Sequence, residues 1–183
     1  MFKARLLCAF IAILILNACT SKISGVRITD LADNTITFNS TQDDSMIVVV
    51  WLAADCPISQ KQVLTLNGLI QYFPTVSFAG VFTHWDKTPD IQQFKRDFAP
   101  NFPLFRDGNR ELFKKLKPVV TPEVQLIADG KIVYRGAIDN WYYALGRHRA
   151  EPNEHYLKAA IQAALNHQPV IRPFTTSVGC RIE

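Results

Sequence analysis

The chain has 183 residues, the length of one domain, and its 48% apolar and 20% charged residues suffice for a buried core, which excludes extended disorder. Its four cysteines, Cys8, Cys19, Cys56 and Cys180, contain no C-x-x-C pair, so a zinc ribbon, a c-type haem site and a standard dithiol motif are excluded as well. The formal charge of +4 comes in part from Lys3 and Arg5, at the very start of the sequence.

Met1 to Arg5 is short and basic and Leu6 to Leu16 is almost wholly apolar, the n-region and h-region of a secretory signal. The apolar run stops at Asn17, short of the roughly 20 residues a transmembrane helix needs, so it reads as an export signal. Leu16-Asn17-Ala18-Cys19 resembles the lipobox of bacterial lipoproteins, which implies cleavage after residue 18 and a lipid on Cys19. The same residues also fit ordinary cleavage that leaves Cys19 a free thiol. On the lipoprotein reading, residues 1–18 are the signal peptide, 19–25 a small polar tether and 26–183 the folded domain, with residues 168–183 as its tail. That reading places the protein in the cell envelope, facing the periplasm and held to the membrane by its N-terminal lipid. Thr20, where an Asp retains lipoproteins at the inner membrane, favours the outer membrane. Loss of Lys3 and Arg5 takes the charge to +2, so charge gives no argument for a nucleic-acid partner.

Thr35 to Phe38 alternates β-branched and aromatic residues after Ala32-Asp33-Asn34 and predicts a small hairpin. Met46 to Trp51 is a continuous β-branched apolar run, the pattern of a central strand buried on both faces. After Cys56, Val63, Leu66, Ile70 and Phe73 line one face of a helix over Pro57 to Phe73, with Pro57 in its first turn. Val76 to Phe82 predicts a second buried strand. Thr88 opens a helix with Ile91, Phe94 and Phe98 on one stripe, ending before Pro100. Leu104 to Gly108 leads into a short helix carrying Leu112, Phe113 and Leu116. Glu123 to Ala128 and Lys131 to Tyr134 flank Asp129-Gly130, a type I′ hairpin signal. A last helix is expected over Asn153 to His167, with Tyr156, Ala160, Ile161 and Leu165 facing inward. The aromatics of Trp141-Tyr142-Tyr143 read as a packing lid over the sheet edge or as a partner surface.

The βαβ then ββα order, with a cysteine where the first buried strand meets the first long helix, resembles the thioredoxin fold: an α/β domain with a central mixed sheet flanked by helices, here with an N-terminal hairpin and an extended C-terminal tail. Asp55-Cys56-Pro57-Ile58-Ser59 resembles its active-site loop, Val120-Thr121-Pro122-Glu123 its cis-proline loop, and Phe102 to Asp107 the insert shared by peroxiredoxins and membrane-tethered thioredoxin-like proteins. The chain resembles redoxins of the alkyl hydroperoxide reductase and thiol-specific antioxidant superfamily, particularly envelope members with a terminal Gly-Cys-x-Ile, here Gly179 to Ile182. It departs from thioredoxin in having Ser59 at the second active-site cysteine. It departs from peroxiredoxins in having Ala53 and Val49 where they carry Thr and Pro.

A thiol is nucleophilic as its thiolate, which a helix N-terminus favours. The resemblance implies that Cys56 is the nucleophile of a thiol-disulfide oxidoreductase, that a cis Pro122 brings the Thr121 backbone beside it, and that the partner is a protein disulfide, dithiol or electron donor. A mixed disulfide needs a second thiol to resolve it, and Ser59 cannot serve. Once Cys8 and Cys19 are assigned to export, Cys180 is the thiol that remains, on a tail with Pro169 and Pro173 extended enough to return across the domain. A Cys56–Cys180 disulfide could equally be permanent, closing a loop worth roughly 4–5 kcal/mol in the chain-entropy model. No cofactor is required by these readings. The alternatives are peroxide reduction, and a non-enzymatic module in which Cys56, Cys180 and His84 hold copper, since soft sulfur ligands select Cu(I).

Overall fold

The computed structural model describes residues 25–38 and 46–182. The signal sequence, Cys19 and nearly all of the tether lie outside the described residues.

The N-terminal hairpin pairs β1 (Val26–Asp30) with β2 (Thr35–Phe38). It is followed by β3 (Ile47–Leu52), α1 (Pro57–Tyr72), β4 (Ser77–Phe82), α2 (Thr88–Phe98), β5 (Leu104–Arg106) and α3 (Glu111–Leu116). Next come β6 (Val120–Thr121), β7 (Glu123–Ala128), β8 (Lys131–Gly136), β9 (Tyr142–Ala144), β10 (Arg147–His148), α4 (Tyr156–Leu165) and β11 (Cys180–Arg181). Seven strands form one mixed sheet in the order β2-β1-β5-β4-β3-β7-β8, with β3, β4 and β5 parallel and the remaining pairs antiparallel. This is the expected α/β arrangement of a mixed sheet flanked by helices.

The central strand β3 explains the two-sided core. Its side chains alternate between faces. Val48, Val50 and Leu52 join Val63 and Leu66 of α1, Phe94 of α2 and Leu157 and Ile161 of α4, whereas Val49 and Trp51 join Ala79, Val81 and, from α3, Leu112 and Leu116. With apolar neighbours on both faces, a continuous run is what such a strand needs. At the β7–β8 turn Asp129 and Gly130 both have positive φ, 51° and 72°, as a type I′ turn requires.

Two expectations are corrected. The last helix begins at Tyr156 rather than Asn153, because Asn140 captures the segment ahead of it: its side-chain oxygen accepts from the amides of Asn153 (3.0 Å) and Glu154 (3.1 Å), and its own amide donates to the Glu154 carbonyl (3.1 Å). The inward stripe of α4 is Leu157, Ala160 and Ile161, with Leu165 largely outside. The Trp141 region is a two-stranded ribbon of β9 and β10. In it, Trp141, Tyr142 and His148 pack on one another while Tyr143 and Leu145 face solvent.

The tail makes a defined return path. The Arg135 amide donates to Pro173 O (2.9 Å), the Thr175 amide donates to Arg135 O (3.0 Å), and the Thr175 hydroxyl accepts from the Ala137 amide (2.9 Å) and bonds the Tyr134 hydroxyl (2.6 Å). Gly136 has a φ of 142°, and a Cβ there would lie 2.2 Å from Thr175 O, so a glycine is needed on both counts. Beyond this latch the chain reaches β6, where Cys180 pairs with Thr121 and Arg181 with Val120.

Candidate functional site around Cys56 and Cys180

Cys56 lies at the hinge between β3 and α1. Its backbone is extended (φ −83°, ψ 112°), its carbonyl accepts the first helical bond from Gln60 (3.0 Å), and Pro57 begins the helix. Pro57 has no amide to leave unpaired and a φ suited to the first turn. Cys56 Sγ therefore sits over the N-terminal end of a 16-residue helix, where unpaired amides favour an anion.

The structure brings four of the expected site residues together. Thr121–Pro122 is cis, and the Cys56 thiol donates to Thr121 O at 3.2 Å. The Cys180 thiol donates to Cys56 Sγ at 3.0 Å. Both cysteines are free thiols in this state. Ser59 lies fully buried beside them, its hydroxyl oxygen receiving the Ala53 amide at 3.4 Å.

The two thiols are driven in opposite directions. Burial alone would raise the Cys56 pKa, but the Cys180 thiol, the amide and hydroxyl of Ser59 and the Cys180 amide all favour the anion and bring it below the ordinary thiol value. Burial, the hydrogen bond given to Cys56, and the negative charges of Cys56 and Asp55 push Cys180 up to about 12. Of the two thiols, Cys56 is the one that ionises more readily and Cys180 the one that keeps its proton.

Cys56 is not at the surface, contrary to what its position at a strand-to-helix junction suggests. Its exposure is 0%, and the Cys180 thiol of the returning tail lies against its sulfur. Cys180 is half-buried and borders an open cleft of about 570 Å³ lined by Ala54, Asp55, Trp85, Asp86 and Arg181 among others. Asp86 holds the loop before Cys56 by accepting from the Ala54 amide (2.8 Å) and the Thr83 hydroxyl (3.3 Å). Burial raises the pKa of Asp86 above the usual carboxylate value.

His84 does not join the pair. It packs on Trp85 with ring centroids 4.4 Å apart, and its carbonyl accepts from Arg106 (3.0 Å). Burial and the charges of Arg110 and Arg106 lower its pKa, surroundings that also oppose a cation. Among the described residues no three His, Cys, Asp or Glu side chains are grouped to hold a metal ion, so the residues present do not fit the copper alternative.

Sequence reasoning missed three supporting features. Gln62 donates to Asp139 Oδ1 (3.1 Å) in a buried polar pair beside Pro122 and Tyr142, Asp86 ties the active-site loop, and the Gly136–Thr175 latch directs the tail. Gly136 stood out only as part of the hairpin, and nothing near Gln62 and Asp139 in sequence connects two residues 77 positions apart.

No curated protein matches the sequence. Among solved structures the chain is similar to an uncharacterized conserved protein from Geobacillus kaustophilus (TM-score 0.74, 21% identity, 88% of this chain and 90% of that one). It is also similar to a hypothetical protein from Sinorhizobium meliloti (TM-score 0.73, 17% identity, 88% and 91%). A third similar structure is a secreted disulfide oxidoreductase from Mycobacterium tuberculosis (TM-score 0.57, 17% identity, 76% and 96%). At these identities the likeness is one of fold, and that fold is thioredoxin-like. Residues 20–135, more than half of the chain, match the family model, and with the buried cysteine at the strand-to-helix hinge already in view the chain belongs to the AhpC/TSA family.

Proposed function

We propose that the protein is a thiol-disulfide oxidoreductase of the cell envelope, with Cys56 as nucleophile and Cys180 as resolving thiol. The observation that carries this reading is the 3.0 Å contact between two free thiols placed 124 positions apart in the chain, one of them at a helix N-terminus. The Cys56 thiolate attacks a substrate disulfide, forming the Cys56–substrate disulfide and releasing the other substrate sulfur as thiolate. Cys180 then attacks Cys56 Sγ, its proton passing to the departing substrate thiolate, and the Cys56–Cys180 disulfide forms. The pKa asymmetry suits this order. Part of what raises Cys180 is the negative charge on Cys56, and that charge vanishes when Cys56 enters the mixed disulfide. A thiol donor must reopen the pair to complete a cycle. Thr121 and Pro122 act as substrate-positioning residues on this reading, because the Thr121 carbonyl faces the sulfur that reacts.

The family match favours a second reading, peroxide reduction, in which Cys56 becomes a sulfenic acid and Cys180 condenses with it to release water. Ala53 and Val49 stand where peroxidatic members carry Thr and Pro, which ranks it second. Membrane attachment through a lipid on Cys19, facing the periplasm and with the outer membrane favoured, rests on the lipobox-like Leu16 to Cys19 and on Thr20.

With a protein disulfide as substrate, Cys180→Ser should accumulate a covalent Cys56–substrate adduct and lose turnover, while Cys56→Ser should form none. Equal turnover by Cys180→Ser and the parent chain would exclude Cys180 as resolver. Offered hydrogen peroxide instead, the parent chain should show little turnover; robust Cys56-dependent consumption would promote the second reading. Thiolate absorbance of the reduced protein should titrate with a midpoint below that of an ordinary thiol. Cys180→Ala should move that midpoint upward, because loss of a donor to the anion destabilises the charged form; an unchanged midpoint would remove Cys180 from the stabilisation. Labelled palmitate should enter the parent chain and not Cys19→Ser, and equal labelling would refute the anchor.

A further inference from the structure

The last residues of the tail do more than deliver a thiol. Gly179 crosses the Thr121–Pro122 peptide so closely that a Cβ there would lie 2.2 Å from Thr121 O, 2.7 Å from Thr121 C and 3.2 Å from Pro122 N. Those are backbone atoms and cannot turn aside. Cys180 stands opposite Thr121 with its thiol on Cys56, and Arg181 stands opposite Val120 at the border of the cleft. The Ile182 amide donates to Val119 O at 3.0 Å, and its side chain packs against the apolar cluster that contains Trp51, Leu112 and Leu116. Gly179, Cys180 and Ile182 each meet a different condition imposed by the edge they lie on.

That edge is also the way to Cys56. β6 pairs with β11 in a sheet of two strands, so withdrawing the tail would leave an open strand edge beside a reactive sulfur. With the tail in place Cys56 has no exposed surface, and a protein disulfide reaches it only by replacing the tail. Strand addition to such an edge supplies affinity through main-chain hydrogen bonds and selectivity through the side chains that must fit.

We propose that Gly179–Ile182 is a resident stand-in for substrate on the Val119–Pro122 edge, and that the cysteine-bearing segment of a substrate protein that displaces it repeats the tail's pattern of small residue, cysteine, any residue, aliphatic residue. This rests on the thiol-disulfide exchange reading. The small residue is required by collision with the Thr121 peptide and the aliphatic residue by burial on the Leu112–Leu116 cluster. The position equivalent to Arg181 is left open because that side chain is exposed.

The test uses full-length Cys180→Ser and synthetic peptides whose single cysteine is joined by a disulfide to thionitrobenzoate. The Cys56 thiolate attacks the peptide sulfur, the bond to the aryl sulfur breaks, and the coloured aryl thiolate leaves with the electron pair, so one disulfide replaces another. The peptide Ser-Val-Gly-Cys-Arg-Ile should release colour at least about tenfold faster than the peptide with Val in place of Gly or the peptide with Asp in place of Ile. Equal rates for all three would overturn the inference and leave the exchange chemistry standing. No release from any would overturn both. Gly179→Val in the Cys180→Ser background cannot keep the tail on the edge, so all three rates should rise with their order preserved. An unchanged rate for the matching peptide would show that the tail is not what a substrate displaces.

Discussion

The backbone of Thr121 is the element on which the site depends. Its carbonyl faces Cys56 Sγ at 3.2 Å, its strand pairs with Cys180, and its peptide with Pro122 is the surface that only a glycine at position 179 can cross. A thiol from one end of the domain and a thiol from the other meet because both are referred to the same peptide unit. The sheet supplies the first by ending β3 where α1 begins. The second is delivered by the tail, which the far end of the β7–β8 hairpin at Gly136 catches at Thr175 before it reaches β6.

This arrangement separates two properties that a reactive cysteine usually combines. Cys56 has the electrostatics of a nucleophile, with a helix N-terminus and the polar hydrogens of Ser59 and Cys180 favouring its anion. It lacks the accessibility, being fully buried with the Cys180 thiol and the Thr121 carbonyl against its sulfur. The Thr121 carbonyl accepts from the thiol form and so opposes ionisation, a counterweight that the donors must outweigh. Cys180 has the reverse character, bordering the cleft with its proton held tightly. Reactivity and access therefore rest on different residues.

Much of the fold was legible because its signals are local. The β-branched run that became β3, the Pro57 start of α1 and the Asp129-Gly130 turn each need only neighbours in sequence to be recognised. The Cys56, Thr121, Pro122 and Cys180 set was legible through family likeness and by the elimination of Cys8 and Cys19, and the structure brings all four together. What escaped was non-local. The burial of Cys56 depends on the tail's path, and that path depends on Gly136 accepting Thr175 at a distance no pattern announces. The shortened start of α4 depends on Asn140, which lies in the loop between β8 and β9 and captures Asn153 and Glu154. His84 stands near the expected edge, but Arg106 and Arg110 give it cationic company that a ligand assignment from spacing could not include.

The central claim is that Cys56 and Cys180 are one reversible redox pair. It is tested most directly by equilibrating the protein in graded mixtures of reduced and oxidised thiol and mapping its linkages by mass spectrometry at each ratio. The account predicts a single intrachain Cys56–Cys180 disulfide that opens and closes with a midpoint in the range of catalytic dithiols, about −270 to −120 mV. Two thiols that stay free at the oxidising end would contradict it, and so would a bond that persists below about −300 mV, the behaviour of a structural disulfide.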